Sequence, residues 1–352
     1  MNENNELDYV LTLIDKHRNN AYRKINEELV MLYYETGKYL SEKVSNESWG
    51  ANAIERISKG IREKHPNLKG FDKRGLYRMI QFYETYKNNR IVSPLVLQIS
   101  WSNNIIIFSK AGTMDEKEFY IRLCIKNNYS VRELNRQIAS GYYERYMMSK
   151  YNALESNDKE IDEDDYPNTR LLDYYSLEFL DLPNNYSEKD LRRGLVKNLK
   201  DFILELGNDF SFIGEEYRIQ VGNKDFYIDL LFYNRNYSCL VAFELKIGEF
   251  KPEYISKMNF YLEALDRQEK HCYENPSVGI ILCSSKDETI VEYATARSVS
   301  KLVVSEYSTK LIDKEILKEK MVEIRKLLKW NNIFCKSKVN CVNTVVTIII
   351  YK

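Results

Sequence analysis

The stretch "DFYIDLLFYNRNYSCLVAFELK", residues 225–246, holds two strongly apolar runs that charged side chains interrupt. The aromatic and β-branched content of both runs is typical of strands, and "NRNY" between them suits a hairpin connection. Asp229, Glu244 and Lys246 therefore fall inside strands that are expected to be partly buried. Because burying charge is costly unless it is compensated, these three residues need a chemical explanation.

The hairpin register indicates where the two acids meet. If "NRNY" connects the strands, Asn234 pairs with Cys239, and counting back along both strands places Asp229 opposite Glu244. Glu244 and Lys246 are two residues apart on one strand, so their side chains share a face. Two carboxylates and an ammonium group are thus expected to converge at one place.

A cation between the two carboxylates would remove their mutual repulsion. Mg²⁺ is the natural candidate because it prefers hard oxygen ligands, with Mn²⁺ as an alternative, and the carbonyl of Leu245 could supply a further ligand. Lys246 would then orient or activate an attacking water, or stabilise the charge of the transition state. Alternatively, Lys246 neutralises both acids in a buried ion network, and the spacing alone leaves both interpretations open.

The order of predicted elements divides the chain into four segments. Residues 1–150 are predicted to form a helical domain, because apolar residues recur at intervals of three and four. Residues 151–168 are acidic, lack that periodicity and predict a linker. Residues 169–330 predict the order αβββαβαβα, an α/β domain whose central sheet is covered on both faces, and residues 331–352 are an atypical apolar tail.

The helical segment contains two helix–turn–helix candidates. The second helix of the first pair carries Lys73, Arg74 and Arg78, and that of the second pair carries Arg132 and Arg136. Between residues 55 and 90 there are ten Lys/Arg against four Asp/Glu, which gives a local basic excess. A helical bundle with solvated basic faces explains this pattern as well as a nucleic-acid surface does.

Helix boundaries in this segment have recognisable signals. Asp72 is expected to cap one helix, and Ser130 with Glu133 three residues later predicts a capping box on another. Gly37 is the one expected weak point of the first long helix.

Composition excludes several classes of function. Lys+Arg 52 balances Asp+Glu 52, so no overall charge favours nucleic acid or membrane. Six cysteines without a C-x-x-C pair and only three histidines argue against disulfide, zinc and Ser/Cys–His sites. The polar N-terminus predicts no signal peptide, and the longest apolar run, "TVVTIII", is far short of the ~20 residues that a membrane span needs. We therefore expect a soluble cytoplasmic protein without a membrane partner.

The two strands, together with "KIGEFKPEY" and "MNFYLEALD", resemble the PD-(D/E)XK nuclease superfamily, and more closely its YhcG-like family. The resemblance extends to "WGANAIERIS", "LKGFDKRGLYRMIQFYETY" and "EFYIRLCIKNNYSVRELNRQI" in the helical segment and covers residues 10–325. It implies an αβββαβ core, the order obtained above, and Mg²⁺-dependent hydrolysis of phosphodiester bonds. Asp229 corresponds to the motif aspartate, and Glu244 and Lys246 to the acid and lysine of the E-x-K pair.

The resemblance also implies an acidic ligand from the first core helix, for which Glu205 is the candidate, although a surface salt bridge explains Glu205 equally well. Relatives often carry Gln and Tyr four residues apart on the helix after the motif, where they contact nucleic acid. Here Lys257 replaces the Gln and Tyr261 is retained. Lys257 could instead pair with Glu253 or stack on Tyr261.

The sequence as a whole predicts a Mg²⁺-dependent nuclease that acts on nucleic acid, with DNA favoured over RNA. The helical domain is expected to bind nucleic acid or a partner through Lys/Arg in residues 56–90 and 122–136. A homodimer is compatible with this prediction. Two alternatives stay open: a non-catalytic nucleic-acid-binding or assembly protein that retains the fold, and a structural interaction protein.

Overall fold

The structure, a computed structural model, describes residues 3–45, 52–89, 92–155, 171–183, 185–298, 300–324 and 326. The chain falls into two compact units that divide between Ile138 and Ala139. This division precedes the expected boundary at residue 150, because the helix that begins at Tyr142 packs on the first strand of the second unit. The predicted tail, residues 331–352, and residues 156–168 of the predicted acidic linker lie outside the described residues.

The N-terminal unit is helical, as predicted. Its helices are α1 (Glu3–Ser45), α2 (Ala53–Lys64), α3 (Lys73–Tyr86), α4 (Val92–Leu95), α5 (Trp101–Lys110), α6 (Met114–Asn127) and α7 (Val131–Ala139). Aromatic rings form much of its core: Phe82 and Trp101 meet edge to face at 5.1 Å, and Tyr33 lies 4.6 Å from Trp101. Such pairs add to the stabilisation that comes from burying their area.

The predicted helix caps of this unit are confirmed. The Asp72 carboxylate accepts the N–H of Gly75 at 2.6 Å and opens α3. Ser130 and Glu133 form the reciprocal capping box at the start of α7. The turn between α6 and α7 is only three residues long, 128–130, and it begins with Asn128 in the left-handed region at φ 51°.

Gly37 does not interrupt α1, contrary to the expectation that it would weaken the helix. A Cβ at this position would lie 2.0 Å from the carbonyl oxygen of Met79, so α1 and α3 approach too closely for any side chain. The glycine is a packing requirement of the α1–α3 contact and not a break.

The C-terminal unit is a mixed α/β domain. Its elements are α8 (Tyr142–Glu155), β1 (Tyr174–Ser176), α9 (Glu188–Lys197), α10 (Leu199–Leu206), β2 (Phe210–Val221), β3 (Lys224–Asn234), β4 (Cys239–Leu245), α11 (Glu253–Gln268), β5 (Val278–Cys283), α12 (Glu288–Thr295) and β6 (Leu302–Ser308), followed by a helical segment, 314–324. The predicted order from the first helix onward is confirmed, except that Asn198 divides that helix into α9 and α10.

The six strands described form one sheet in the order β1-β6-β5-β4-β3-β2. β2, β3 and β4 are antiparallel neighbours, whereas β4, β5, β6 and β1 run parallel. β1 was not predicted, since its three residues are too few to show a strand pattern.

Helices cover both faces of the sheet at β4. Ala242 packs on one face with Met258 and Leu262 of α11, and on the other face the ring of Phe243 lies 5.9 Å from that of Phe202 on α10. Because side chains alternate along a strand, Glu244 shares the face of Ala242 and lies on the α11 side. Among the described helices none is long and apolar enough to cross a membrane.

Candidate active site

The predicted hairpin register is confirmed by the pairing of Asn234 with Cys239. The β3–β4 ladder continues to Leu230 opposite Phe243, which is one residue short of the predicted Asp229–Glu244 pair. Beyond that point the Asp229 side chain, in place of a ladder hydrogen bond, contacts β4: its Oδ2 accepts a hydrogen bond from the backbone N–H of Leu245 at 2.8 Å. The hairpin therefore brings Asp229 against β4 at the end of the ladder.

Glu244 is only 1% exposed, and its two carboxylate oxygens have different surroundings. Oε1 lies 2.9 Å from Lys246 Nζ and 2.5 Å from Lys257 Nζ. Oε2 is buried and has no hydrogen-bond partner among the described residues. Leaving a buried acceptor unsatisfied costs about 1–3 kcal/mol, and more when it is charged, so Oε2 is a position where a cation would be stabilised.

Lys246 follows the last residue of β4, and its side chain is 13% exposed. Its Nζ bridges two acids, Glu244 at 2.9 Å and Glu188 at 3.0 Å. Burial alone would lower the pKa of Lys246, but the hydrogen bonds and charges of Glu244 and Glu188 outweigh burial and raise it above its ordinary value. Lys246 is consequently held as a cation.

Arg192 of α9 is the cation nearest to Asp229, with its Nη1 3.4 Å from Oδ1. Its Nη2 lies 2.7 Å from Glu216 Oε1, so the guanidinium spans two acids. Desolvation, followed by repulsion from Glu244, raises the pKa of Asp229, and the Leu245 N–H and nearby lysines only partly offset this. The ionised form of Asp229 is thus disfavoured by its surroundings and would gain from a nearby cation.

The donor set fits a hard divalent cation. Asp229 and Glu244 offer carboxylate oxygens, one of them without a partner among the described residues, and the backbone N–H of Leu245 contacts Asp229. No group of three or more His, Cys, Asp or Glu suited to a metal occurs in the part of the chain that the structure describes. Two carboxylates are nevertheless enough for Mg²⁺, which completes its shell with water and substrate phosphate oxygens.

Two parts of the chain match known protein families. Residues 168–322 match the family described as the YhcG PDDEXK nuclease domain, and residues 9–145 match the DUF1016 N-terminal domain. The chain carries a YhcG-type nuclease domain. The curated protein "Putative nuclease YhcG" of Escherichia coli (strain K12) is 28% identical over 355 residues, covering 92% of this chain and 94% of that protein. The predicted family and fold class are therefore confirmed.

Two solved structures are similar over a smaller part of the chain. A repair endonuclease from Pyrococcus abyssi is 20% identical, and the match covers 36% of this chain and 48% of that chain with a TM-score of 0.25. An EndoMS–dsDNA2 complex is 17% identical, with 36% and 47% covered and a TM-score of 0.26. Likenesses at this level support no inference about substrate.

Glu205, the predicted acid of the first core helix, does not join this site. It is fully buried, forms a salt bridge with Arg145 and accepts the Ser176 N–H at 2.8 Å. The contacts of Asp229, Glu244 and Lys246 do not include it. The prediction relied on the resemblance, which implies an acid from the first core helix but does not show the direction in which a side chain of that helix points.

On the first core helix, Glu188 rather than Glu205 contacts a residue of the candidate site, Lys246. Ser187 caps α9 through a capping box with Asp190, which fixes the first turn of the helix and places Glu188 beside Lys246. Sequence reasoning missed both Glu188 and Arg192. They are four residues apart and so share a helix face, a spacing that could have indicated a common target.

Lys257 and Tyr261 of α11, the predicted nucleic-acid contacts, lie in different settings within the protein. Lys257 pairs with Glu244, not with Glu253, and its Nζ lies 5.3 Å from the centre of the Tyr261 ring. Tyr261 is buried in the core of the domain, and its hydroxyl donates to the carbonyl of Tyr227 at 2.7 Å. Tyr261 is therefore a packing residue, and Lys257 contacts the predicted metal ligand.

The predicted basic residues of the DUF1016 domain lie in different settings. Lys73 forms a salt bridge with Glu55 at 3.3 Å, whereas Arg74 next to it is exposed and Arg78 is half-buried. On α7, Arg132 is exposed and Arg136 is half-buried. Lys73, Arg74 and Arg132 are thus the exposed residues of the five, and Lys73 is already paired with Glu55.

Proposed function

We propose that this protein is a divalent-metal-dependent nuclease that hydrolyses phosphodiester bonds, with DNA as its favoured substrate. One observation carries the proposal: Glu244 Oε2 is buried and without a hydrogen-bond partner among the described residues, next to a second carboxylate whose ionised form is disfavoured. A divalent cation satisfies both groups at once.

Asp229 and Glu244 would hold the ion, Mg²⁺ or Mn²⁺, with the carbonyl of Leu245 as a further ligand. When bound, the ion supplies positive charge against the phosphate and lowers the pKa of a coordinated water. Hydrolysis then forms a bond from a water oxygen to phosphorus and breaks the bond from phosphorus to the leaving oxygen. The protein's own groups position the phosphate and compensate the charge that develops on it.

Lys246 is best suited to stabilise that charge. Because its pKa is raised by Glu244 and Glu188, it stays protonated and acts as a cation and hydrogen-bond donor rather than as a general base. Glu188 holds the Lys246 ammonium from the side of α9. Arg192, which contacts Asp229, is a positioning residue for the carboxylate.

The DUF1016 domain would bring nucleic acid, or a partner that carries it, to the nuclease domain. Lys and Arg side chains of residues 56–90 and 122–136 are the proposed phosphate contacts, with the exposed Arg74 and Arg132 foremost. Binding through such contacts should weaken steeply as salt concentration rises. The cytoplasm is the proposed location.

One observation favours a different function. Every acid of the site already faces a cation: Glu244 faces Lys246 and Lys257, and Asp229 faces Arg192. Such a cluster could be a structural ion network in a protein that binds nucleic acid without cutting it. Metal binding distinguishes the two functions, since the network requires no ion.

The test combines metal titration with cleavage. Calorimetry with Mg²⁺ and Mn²⁺ is run on the wild type, Asp229→Ala, Lys246→Ala and the control Asp225→Ala, which removes an exposed aspartate from the same strand. The same proteins, each checked for folding, are incubated with labelled single-stranded, duplex and branched DNA and with RNA. We expect metal binding to be lost only in Asp229→Ala and cleavage to be lost in both site variants. Absence of metal binding by the wild type would refute the proposal, and cleavage that survives in both site variants would assign it elsewhere.

A further inference from the structure

Helix α1 has one face that packs within the DUF1016 domain. Val30, Tyr33 and Leu40 are buried on this face, and Gly37 allows the close contact with α3 described above. The first contact along the chain is made by Asn26, whose amide donates to the carbonyls of Leu97 and Ile99. The helix therefore joins its domain only from about residue 26 onward.

A second apolar face runs along α1 and remains exposed over the length of the helix. It comprises Leu7, Leu11, Ile14, Ala21, Ile25, Leu29, Leu32 and Tyr39, all of them exposed, and we call it the α1 seam. Its members recur at intervals of three, four or seven residues. The apolar positions 7, 14 and 21 are each followed by another member eighteen residues later, at 25, 32 and 39. A spacing of eighteen residues is five turns of an α-helix, so the seam is straight.

The seam is distinct from the packed face. At about 100° per residue, it lies roughly 110° around the helix from Val30, Tyr33 and Leu40. Leu11 is 49% and Ile25 64% exposed, and every described side chain from residue 7 to residue 25 is exposed. Isolated exposed apolar residues are ordinary, but a continuous stripe of this kind marks an interaction surface.

Charge along the free half of α1 indicates what covers the seam. Residues 3–15 contain four acids and no Lys or Arg, and residues 16–24 contain four Lys/Arg and no acid. Two such helices side by side in parallel register would place like charges together. In antiparallel orientation the acidic block of each copy lies against the basic block of the other, which makes the helix complementary to itself.

We propose that the free half of α1 pairs in antiparallel orientation with α1 of a second copy of this chain. Centring the pair near residue 16 sets Leu7 against Ile25, Leu11 against Ala21, and Ile14 against Arg18 of the other copy. The DUF1016 domains, which hold α1 from residue 26 onward, then lie at opposite ends of the paired helices. No residue of the nuclease site takes part.

Arg18 is the one charged residue on the line of the seam. In the proposed register it lies beside Asp15 of the second copy, where the opposite charges compensate each other. A polar pair in an apolar helix interface fixes register and orientation at some expense in affinity. Its presence near the centre of the pair therefore favours a single antiparallel arrangement.

The extent of the seam sets the expected affinity. A paired length of about 27 residues is about 40 Å, and a strip about 10 Å wide buries about 400 Å² on each copy. The total of about 800 Å² is below the roughly 1,200–2,000 Å² of stable specific interfaces, so we expect a weak dimer that dissociates on dilution.

The experiment is sedimentation equilibrium of the full-length wild type from about 1 to about 100 µM, compared with two variants of equal charge change. Leu11→Glu places a carboxylate in the seam, and Tyr9→Glu places one about 160° around the same helix, on an exposed position outside it. We expect Leu11→Glu to raise the dimer dissociation constant by at least about tenfold and Tyr9→Glu to leave it nearly unchanged. Circular dichroism checks that both variants keep the helical content of the wild type.

Charge exchange tests the orientation. Arg18→Glu with Arg23→Glu removes the net positive charge of the basic block and places two carboxylates against the acidic block of the other copy, which should weaken dimerisation, and adding Asp8→Lys and Asp15→Lys to the same chain should restore it. A parallel pair would not be restored in this way, so lack of recovery would overturn the antiparallel arrangement. A wild type that stays monomeric at the highest concentration, or that dimerises equally well with Leu11→Glu, would overturn the proposal altogether.

Discussion

In the C-terminal unit, two buried clusters each combine acidic and basic side chains, but they differ in hydrogen bonding. Arg145 and Glu205 are both fully buried, and their polar atoms are directed at each other and at the backbone around them. Glu244 is as deeply buried as Glu205, but one of its oxygens has no hydrogen-bond partner among the described residues. We call the Arg145–Glu205 cluster the closed cluster, because its charged groups pair with each other and with the backbone. We call the cluster around Glu244 the open cluster, because Glu244 Oε2 has no hydrogen-bond partner among the described residues.

Access to solvent also separates the two clusters. The two lysines that contact Glu244 differ in side-chain exposure: Lys246 is 13% exposed and Lys257 is 46% exposed. A substrate or ion can therefore approach Glu244 by displacing an ammonium group that is already half in water. Glu205 differs in this respect, because its partner Arg145 is completely buried. The comparison teaches that burial of charge alone does not distinguish the two clusters, whereas an unsatisfied atom near an accessible edge does.

The largest effect should come from breaking the closed cluster. Arg145→Met leaves the Glu205 carboxylate buried without its cation, which typically costs about 3–5 kcal/mol of unfolding free energy. Chemical denaturation measures this loss, and the double variant Arg145→Met, Glu205→Leu should recover much of it. A loss under about 1 kcal/mol in the single variant would show that the pair is not structurally important.

The open cluster should respond in activity rather than in stability. Lys246→Met removes the cation that faces the developing charge, and we expect cleavage to fall by about 10²–10³-fold. Lys224→Met, an exposed lysine at the start of β3, is the matched control and should cleave normally. If Lys246→Met unfolds as easily as Arg145→Met and retains activity, the two clusters do not differ in kind.

Much of this site could be predicted because hairpin geometry is local. The turn fixed the pairing of Asn234 with Cys239, and that pairing determined which residues of β3 and β4 come together. The E-x-K spacing placed Glu244 and Lys246 on one side of the strand end, and a salt bridge of 2.9 Å confirms that they meet. These relations depend on period-two alternation and need no knowledge of the rest of the fold.

The contributions from helices could not be obtained in the same way. Whether α9 or α10 delivers an acid depends on the break at Asn198 and on how each helix packs on the sheet, which are tertiary properties. Glu205 and Glu188 are both acids of the predicted first helix, yet only Glu188 reaches Lys246. The three-residue strand β1 was missed for a related reason, since it is defined by pairing with β6 and not by its own sequence.

A smaller effect concerns the half-exposed lysine of the open cluster. Lys257 competes with a metal ion for Glu244 Oε1, so Lys257→Met should bind Mn²⁺ more tightly. Because the lysine is partly exposed, water screens its charge, and we expect a gain of only about two- to fivefold in affinity. Calorimetric titration measures it, with Lys270→Met, two residues after the end of the same helix, as control. Weaker metal binding by Lys257→Met would mean that the lysine supports the site instead of competing.

The smallest effect is a pH dependence of stability that comes from Asp229 in the open cluster. The folded-state pKa of Asp229 is raised, first by desolvation and then by Glu244, so its contribution to stability is complete below the unfolded-state pKa near 4 and is lost as pH rises through the folded-state value. In EDTA, the wild type should therefore lose stability with rising pH relative to Asp229→Asn, whose side chain cannot ionise. Thermal unfolding at a series of pH values measures the gap, with Asp225→Asn as the control for charge removal on the same strand. Added Mg²⁺ should reverse the loss in the wild type but not in Asp229→Asn. A gap that does not change with pH would mean that Asp229 ionises without penalty, and the open cluster would then need no cation to complete it.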